Sequence, residues 1–318
     1  MSADRTLLNH FMRRKPQIRP VLLSFIDRLL ARIESKPYED IIASPGDWTA
    51  ALLKMMDLLQ TDGIIAGYDD AILAQAMGTP RVGDAVAAGL PAGANALADE
   101  PLRHPGLAAA VETVKRLAAP AGRNYACIAG MAGPGKLATQ LFQPKEIEAG
   151  IRAIKKPYMA VTESYLQTRP DMLLLFEQLG GTGGSVSGGV ARLYGTLRNQ
   201  AAYYNVPLAV YFEGYHADNM EQLSGLKPDI AILGRNVHGD EPNLALALQF
   251  ADHPVGIGIN LEDLERAAGV IRAACSACRN GRNLLLIGLG APDMNADLNS
   301  LRALFRNCVE LEETRGQQ

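Results

Sequence analysis

Eight short apolar runs, each followed by a stretch of helical periodicity, leave this 318-residue chain very few architectures. The runs occupy residues 20–26 (PVLLSFI), 62–68 (DGIIAGY), 124–130 (NYACIAG), 172–178 (MLLLFEQ), 207–213 (PLAVYFE), 229–234 (DIAILG), 254–260 (PVGIGIN) and 283–289 (NLLLIGL). Nearly uncharged segments of this length, rich in Val, Ile and Leu, read as strands buried on both faces. Helical patterns fall between them, at about 44–60, 107–118, 137–154, 190–204, 218–226, 243–250, 261–278 and 295–305. The first opens on Ser44-Pro45, an N-cap with proline at the first helical position. Every connection is long enough for a right-handed crossover, and eight βα units are the number that closes a (β/α)8 barrel. A doubly wound open sheet is the alternative, although it rarely uses eight equal units. The expected organisation is an N-terminal arm over residues 1–19 and a single α/β domain, a TIM barrel, over 20–318.

Composition excludes several classes. Hydrophobic content is 48%, charged content 20% and the net charge −3, an ordinary globular balance without the basic footprint of a nucleic-acid binder. Arg13-Arg14-Lys15 is too short a run to change that. The N-terminus has no apolar leader core, and no run approaches the ~20 apolar residues of a membrane span. A cytoplasmic protein is expected. The four cysteines, Cys127, Cys275, Cys278 and Cys308, are too few for a disulfide scaffold and read as reduced thiols. Cys275 and Cys278 form a C-x-x-C inside a helical pattern, without a second pair or a neighbouring histidine; they read as helix residues.

Chemistry in such a barrel belongs at the C-terminal strand ends. The fifth run stops on Glu213 and is followed closely by His216, then by Asp218 with Glu221 at capping-box spacing. A carboxylate and an imidazole presented there suit an acid/base pair; alternatively Glu213 only satisfies backbone groups and His216 packs near a helix start. The other ends carry Asp27 and Arg28, Asp69 and Asp70, residues 130–135, Glu177 and Gln178, Arg235, Asn236 and His238, then Asn260. Asp69, Glu177 and Glu213 come from separate strands and are expected to converge. Like charges held together raise one pKa and make an acid; a divalent cation among them, with His216 or His238, is the other solution. His216, ahead of a helix N-terminus, favours its neutral form. The candidate catalytic set is therefore Asp69, Glu177, Glu213, His216 and His238, with His238 alternatively a solvated loop residue. Arg28 and Arg235 are the cations available for substrate. Two loops on this side stand out, the Ala/Gly/Pro-rich residues 79–106 and GGTGGSVSGG at 180–189. The latter is either an anion cradle or a mobile lid.

The order and spacing of PVLLSFIDR, SKPYEDIIASP, DGIIAGYDD, GMAGPGKLA, LLLFEQLGG, VYFEG and LLIGLGAP resemble the uroporphyrinogen decarboxylase-like superfamily, over about residues 20–305. That group contains the haem-pathway decarboxylase and the corrinoid methyltransferases of methanol and methylamine metabolism. The resemblance implies that Asp69 matches the decarboxylase's key aspartate. Gln140 falls at its tyrosine, and Glu177-Gln178 at its aspartate-serine pair, which adds Gln140 and Gln178 to the candidate substrate-binding residues. Of the paired arginines only Arg28 has a counterpart, and the histidine after the eighth strand is absent, near Leu289. The methyltransferases' zinc-binding H-x-C-G at the fifth strand end reads Tyr211-Phe212-Glu213-Gly214 here, without that site.

Three functions follow. A lyase-type enzyme, decarboxylating by resemblance, would use acid/base chemistry on a small substrate and needs no organic cofactor. A methyl-transferring or demethylating enzyme would work with a corrinoid protein partner. A non-catalytic ligand-binding barrel is the third. The family often forms homodimers. Uroporphyrinogen is a polycarboxylate, whereas this rim sets Arg28 and Arg235 against Asp69, Asp70, Glu177 and Glu213; an unscreened like-charge contact costs ~4 kcal/mol at ~4 Å and an effective dielectric of ~20. Incubation with uroporphyrinogen, followed by product fluorescence, is expected to give no turnover above background.

Overall fold

The computed structural model describes residues 5–24, 29–79, 81–82, 85–86, 100–120, 123–179, 186–248, 254–289 and 297–313. Eight parallel strands close into a barrel: β1 (Val21–Ser24), β2 (Gly63–Ala66), β3 (Ala126–Ala132), β4 (Met172–Gln178), β5 (Leu208–Glu213), β6 (Ile230–Leu233), β7 (Val255–Asn260) and β8 (Leu284–Leu289). Strands adjacent in sequence are adjacent in the sheet, and β8 closes on β1 through Val21↔Leu285 and Leu23↔Ile287. Each strand falls on one apolar run. β3 continues to Ala132 because Met131 and Ala132 still pair with Leu175 and Phe176 of β4.

The helices follow the periodic stretches, with local corrections. Ser44 accepts the Asp47 amide at 3.3 Å and opens Pro45–Leu59 as expected. The pattern expected at 137–154 is two helices, Pro134–Leu141 and Ile147–Gln167, parted at Pro144, whose missing N–H interrupts the backbone ladder. A 3-10 turn over Ala217–Asn219 precedes Met220–Gly225. The helix expected from 261 starts at Leu264, where Asp263 accepts the Arg266 amide. Cys127, Cys275 and Cys278 are buried in the core. Within 79–106, a short antiparallel ladder pairs Arg81–Val82 with Ala85–Val86.

The N-terminal end of the barrel is tied by a repeated device. Asp62, Asp171 and Asp229 each precede an even-numbered strand and accept the amide of Leu22, Cys127 or Leu208 at 2.8 Å. Each also donates its own amide to the carbonyl of that same residue, at 2.8–2.9 Å. The strand pairs β1/β2, β3/β4 and β5/β6 are thus clamped at their starts. Arg19 adds a bidentate pair to Asp62 at 2.7 and 2.8 Å, with both side chains out of water. Arg123 does the same for Asp171 through one bond of 2.8 Å. The helix Arg5–Met12 buries Leu8 and Phe11, and the Leu284 amide is held by Gln17. The region expected as an arm is therefore packed on this end.

Removing one partner of a buried ion pair strands the other charge, at ~3–5 kcal/mol. Losing a single carboxylate–amide bond costs ~1–3 kcal/mol. Asp62→Ala should therefore destabilise the fold more than Asp229→Ala in urea unfolding; equal losses would deny Arg19 its dependence on the pair.

Candidate active site at the barrel mouth

Strand register decides what reaches the mouth. Across β4 and β5, Phe176 pairs with Tyr211 and Gln178 with Glu213. Side chains alternate along a strand, so these four share one face and Glu177 takes the other. The shared face is the barrel interior. Phe176 stacks on Tyr68, which follows β2, with ring centroids 4.0 Å apart, and lies 5.5 Å from Tyr211. Three buried rings thus floor the mouth, and two of them carry hydroxyls.

Lys136 stands over this floor. It comes from the first turn of Pro134–Leu141, directly after β3. Its Nζ donates to Asp70 Oδ1 at 2.5 Å and to the Tyr68 hydroxyl at 2.8 Å. The Tyr68 hydroxyl in turn donates a short hydrogen bond to Asp70. Half-buried Glu213 shares the electrostatics of this group and accepts from Tyr211 at 3.3 Å. Burial pushes its pKa up; Lys136, the Tyr211 hydroxyl and Arg235 pull it down, and Asp70 pushes it up again, with a net rise. The Tyr211 phenol is itself pushed well up by burial and then by Glu213. Gly234 makes the Tyr211–Glu213 approach feasible, because a Cβ there would sit 2.6 Å from the Tyr211 hydroxyl and 2.8 Å from Glu213 Cγ.

Several candidates are placed differently from expectation. Asp69 does not join Glu213: its Oδ1 accepts the amides of Ala71 and Ile72 at 2.9 and 3.1 Å, and the neighbouring Asp70 is the aspartate that meets Lys136. Glu177 is 1% exposed and points away from the interior. Its Oε1 accepts the amides of Lys136 and Gln178 at 2.5 and 3.2 Å, and its Oε2 accepts the Gly135 amide and the Tyr194 hydroxyl at 3.1 and 2.9 Å. The three carboxylates therefore do not form one cluster. Among the described residues no group of three or more His, Cys, Asp or Glu side chains is gathered as a metal ion would need.

His216 and His238 do come together, with ring centroids 5.9 Å apart and edge to face. The cause is a β5/β6 pairing that outlasts the strands: Gly214 donates to Arg235 at 2.8 Å, Val237 donates to Tyr215 at 2.9 Å, and Tyr215 bridges Asn236. Among the described residues neither ring makes a hydrogen bond. Half-buried Arg235 faces Glu213 electrostatically and, among the described residues, forms no ion pair within bonding distance. Gln140 donates to the Asp70 carbonyl at 3.0 Å while its Oε1 is buried without a partner. Gln178 ends β4 beside Glu213. Arg28, residues 180–185 of the glycine-rich loop and residues 290–296 lie outside the described residues; Ser187, within the last part of that loop, caps Gly188–Tyr203 by accepting the Val190 amide at 3.2 Å.

Lys136, Tyr68 and Tyr211 are site residues that the sequence reading did not single out, and Asp70, expected only as a rim charge, takes the place of Asp69. One signal was present: a lysine in the first turn of a helix opposes the macrodipole and calls for a nearby carboxylate.

The chain shares its fold over its whole length with a methyltransferase from Methanosarcina mazei, at a TM-score of 0.76 and 13% identity, covering 98% of this chain and 100% of that one. Looser likenesses are to a proposed vitamin-B12-independent methionine synthase from Listeria monocytogenes (TM-score 0.42, 18% identity, 60% of this chain and 65% of that one) and to the GH18 chitinase ChiB of Flavobacterium johnsoniae (0.45, 9%, 92% and 94%). Neither of these two bears on the site. No protein-family model and no curated protein matches the sequence. The M. mazei likeness is one of fold, and the fold is the barrel that the sequence resemblance implied. No helix among the described residues is long and apolar enough to cross a membrane.

Lys136 lowers the Glu213 pKa by its positive charge. Lys136→Met is therefore expected to raise that pKa further, read from the side-chain carboxyl carbon of Glu213 in an NMR pH titration. A fall would mean that the two groups are not coupled as described.

Proposed function

We propose that this chain is a divergent enzyme of the uroporphyrinogen decarboxylase-like superfamily that removes a methyl group from a small substrate, with a corrinoid protein as partner. The observation that carries the reading is Glu213, a half-buried carboxyl with a raised pKa, at the strand end where the resemblance locates the methyltransferases' zinc motif. A methyl group leaves nitrogen, oxygen or sulfur readily only when the heteroatom gains a proton or an equivalent positive charge. Zinc meets that need for a thiol; a protonated carboxyl meets it for an amine or ether heteroatom. The corrinoid partner supplies the nucleophile that takes the methyl group. In the net change the C–heteroatom bond breaks, its electron pair stays on the heteroatom, and the Glu213 proton ends there.

The remaining residues have matching tasks. Lys136, held by Asp70 and Tyr68, keeps positive charge beside Glu213 and re-supplies its proton by way of solvent. The rings of Tyr68, Phe176 and Tyr211 give the methyl-bearing part an apolar floor. Arg235 takes an anionic end of the substrate, and the unpaired Gln140 Oε1 accepts from an N–H or O–H. His216 and His238 line the rim as proton carriers. Decarboxylation is the weaker reading, because the carboxylate matched to the decarboxylase's aspartate is engaged by two backbone amides.

Demethylation of amine- and ether-linked methyl donors, assayed with a corrinoid protein, is the direct test. Glu213→Gln should cut kcat/KM by ~10²–10⁴-fold, the range of general acid catalysis. The wild-type rate should fall as pH rises through the Glu213 pKa, since the acid form is lost, and that limb should vanish in the variant. A wild-type rate in Glu213→Gln would remove the assignment.

A further inference from the structure

Glu177 is the most completely bonded side chain near the mouth, yet it lies behind the strand wall and can touch nothing bound inside. All four of its partners are donors, three backbone amides and a phenol. Two glycines clear the space for it: a Cβ on Gly133 or Gly135 would fall 2.7 or 2.6 Å from its carboxylate oxygens. Gly133-Pro134-Gly135 thus lets the first turn of Pro134–Leu141 close on a carboxylate, where the helix dipole favours negative charge. The residue that follows is Lys136. Its amide is bound to Glu177 behind β4, and its Nζ is bound to Asp70 and Tyr68 in front.

We infer that Glu177 is a positioning residue, whose carboxylate fixes the turn that carries Lys136 and so sets where the Lys136 ammonium stands, with Tyr194 completing the anchor. This deepens, and rests on, the reading of the mouth as the reaction site. Any side chain of the right volume could fill the space behind β4, but only a carboxylate offers two acceptor oxygens to four donors. A glutamine there turns an NH2 toward at least one of them, and backbone amides cannot accept. The turn must then shift, and Lys136 with it. Burial raises the Glu177 pKa and the four donors pull it back only in part, with a net rise. The Tyr158 and Tyr194 phenols are pushed up by burial and, next, by its negative charge.

The test reads Lys136 directly and needs no turnover. Wild type, Glu177→Gln and Tyr194→Phe are treated with acetic anhydride, and acetylation of each lysine is followed by mass spectrometry, with exposed Lys54 and Lys115 as internal references. Circular dichroism and an unfolding curve establish that each variant is folded. The Lys136 side chain is 15% exposed in the wild type. Freed from its anchor it should react about tenfold faster in Glu177→Gln, and about two- to threefold faster in Tyr194→Phe, which loses one donor of four; tenfold corresponds to about 1.4 kcal/mol of lost anchoring. Unchanged Lys136 reactivity in folded Glu177→Gln would overturn the inference. Should that variant not fold, unchanged reactivity in Tyr194→Phe would do so. Once a turnover assay exists, Glu177→Gln should lower kcat and move the Glu213 pH limb upward, because a displaced Lys136 no longer lowers that pKa; a limb moved downward would overturn the inference. A mouth that transfers no methyl group would sink the proposed function and leave the labelling result intact.

Discussion

A carboxylate taken out of water must be met by donors, and the way this chain meets Glu177 determines the shape of the upper rim. Three of the four donors are backbone amides, two of them from consecutive residues of one turn. Such a turn can approach only where side chains are absent, which accounts for Gly133 and Gly135. It must also open a helix, because only there are amides left without intrahelical partners. Once those conditions hold, the residue after Gly135 projects forward over the end of β3. An interaction in the outer layer thereby decides what stands in the inner one.

The inner layer shows a complementary logic. Lys136 faces Asp70 at bonding distance and Glu213 without a direct bond. Its charge is largely matched by Asp70, so Glu213 receives only part of the stabilisation a lone lysine would give. Burial then prevails and the carboxyl keeps its proton to higher pH. Were Asp70 absent, Lys136 would pull Glu213 toward the ordinary carboxylate range. The pair of Asp70 and Lys136 acts as a setting for Glu213, rather than as a structural salt bridge that happens to be close.

The fold was legible because strands buried on both faces write continuous apolar runs, and the eight runs coincide with the eight strands. That same continuity hid the register. A segment such as MLLLFEQ carries no alternation, so nothing in it says whether Glu177 or Gln178 faces the interior; the pairing of Gln178 with Glu213 settles it. Asp69 and Asp70 were indistinguishable for a related reason. Their orientation depends on the turn at Gly67, whose φ of 78° only glycine adopts without strain. The partnership of His216 and His238 depends on β5/β6 pairing beyond the strand ends, a long-range contact that local patterns do not encode. Lys136 lies in GMAGPGKLA, where its position in the first turn of a helix is the one local hint that it faces a carboxylate from elsewhere in the barrel.

The two ends of the barrel use their charged groups differently. At the strand starts the buried charges Arg19 and Asp62 are fully matched, and that end holds the strands together. At the mouth half-buried Arg235 forms no ion pair among the described residues, and the buried Gln140 Oε1 has no partner among them, which costs ~1–3 kcal/mol. A ligand that donates to the Gln140 Oε1 would offset that cost. With Glu213 protonated, Lys136 and Arg235 outweigh Asp70 by one positive charge; with Glu213 ionised, the four groups cancel. The proton that equips Glu213 to act as an acid is thus the same one that makes the mouth attractive to a single anionic group. Binding of a monoanionic substrate and readiness for proton transfer are coupled through one carboxyl, and a polycarboxylate would exceed what the rim can neutralise.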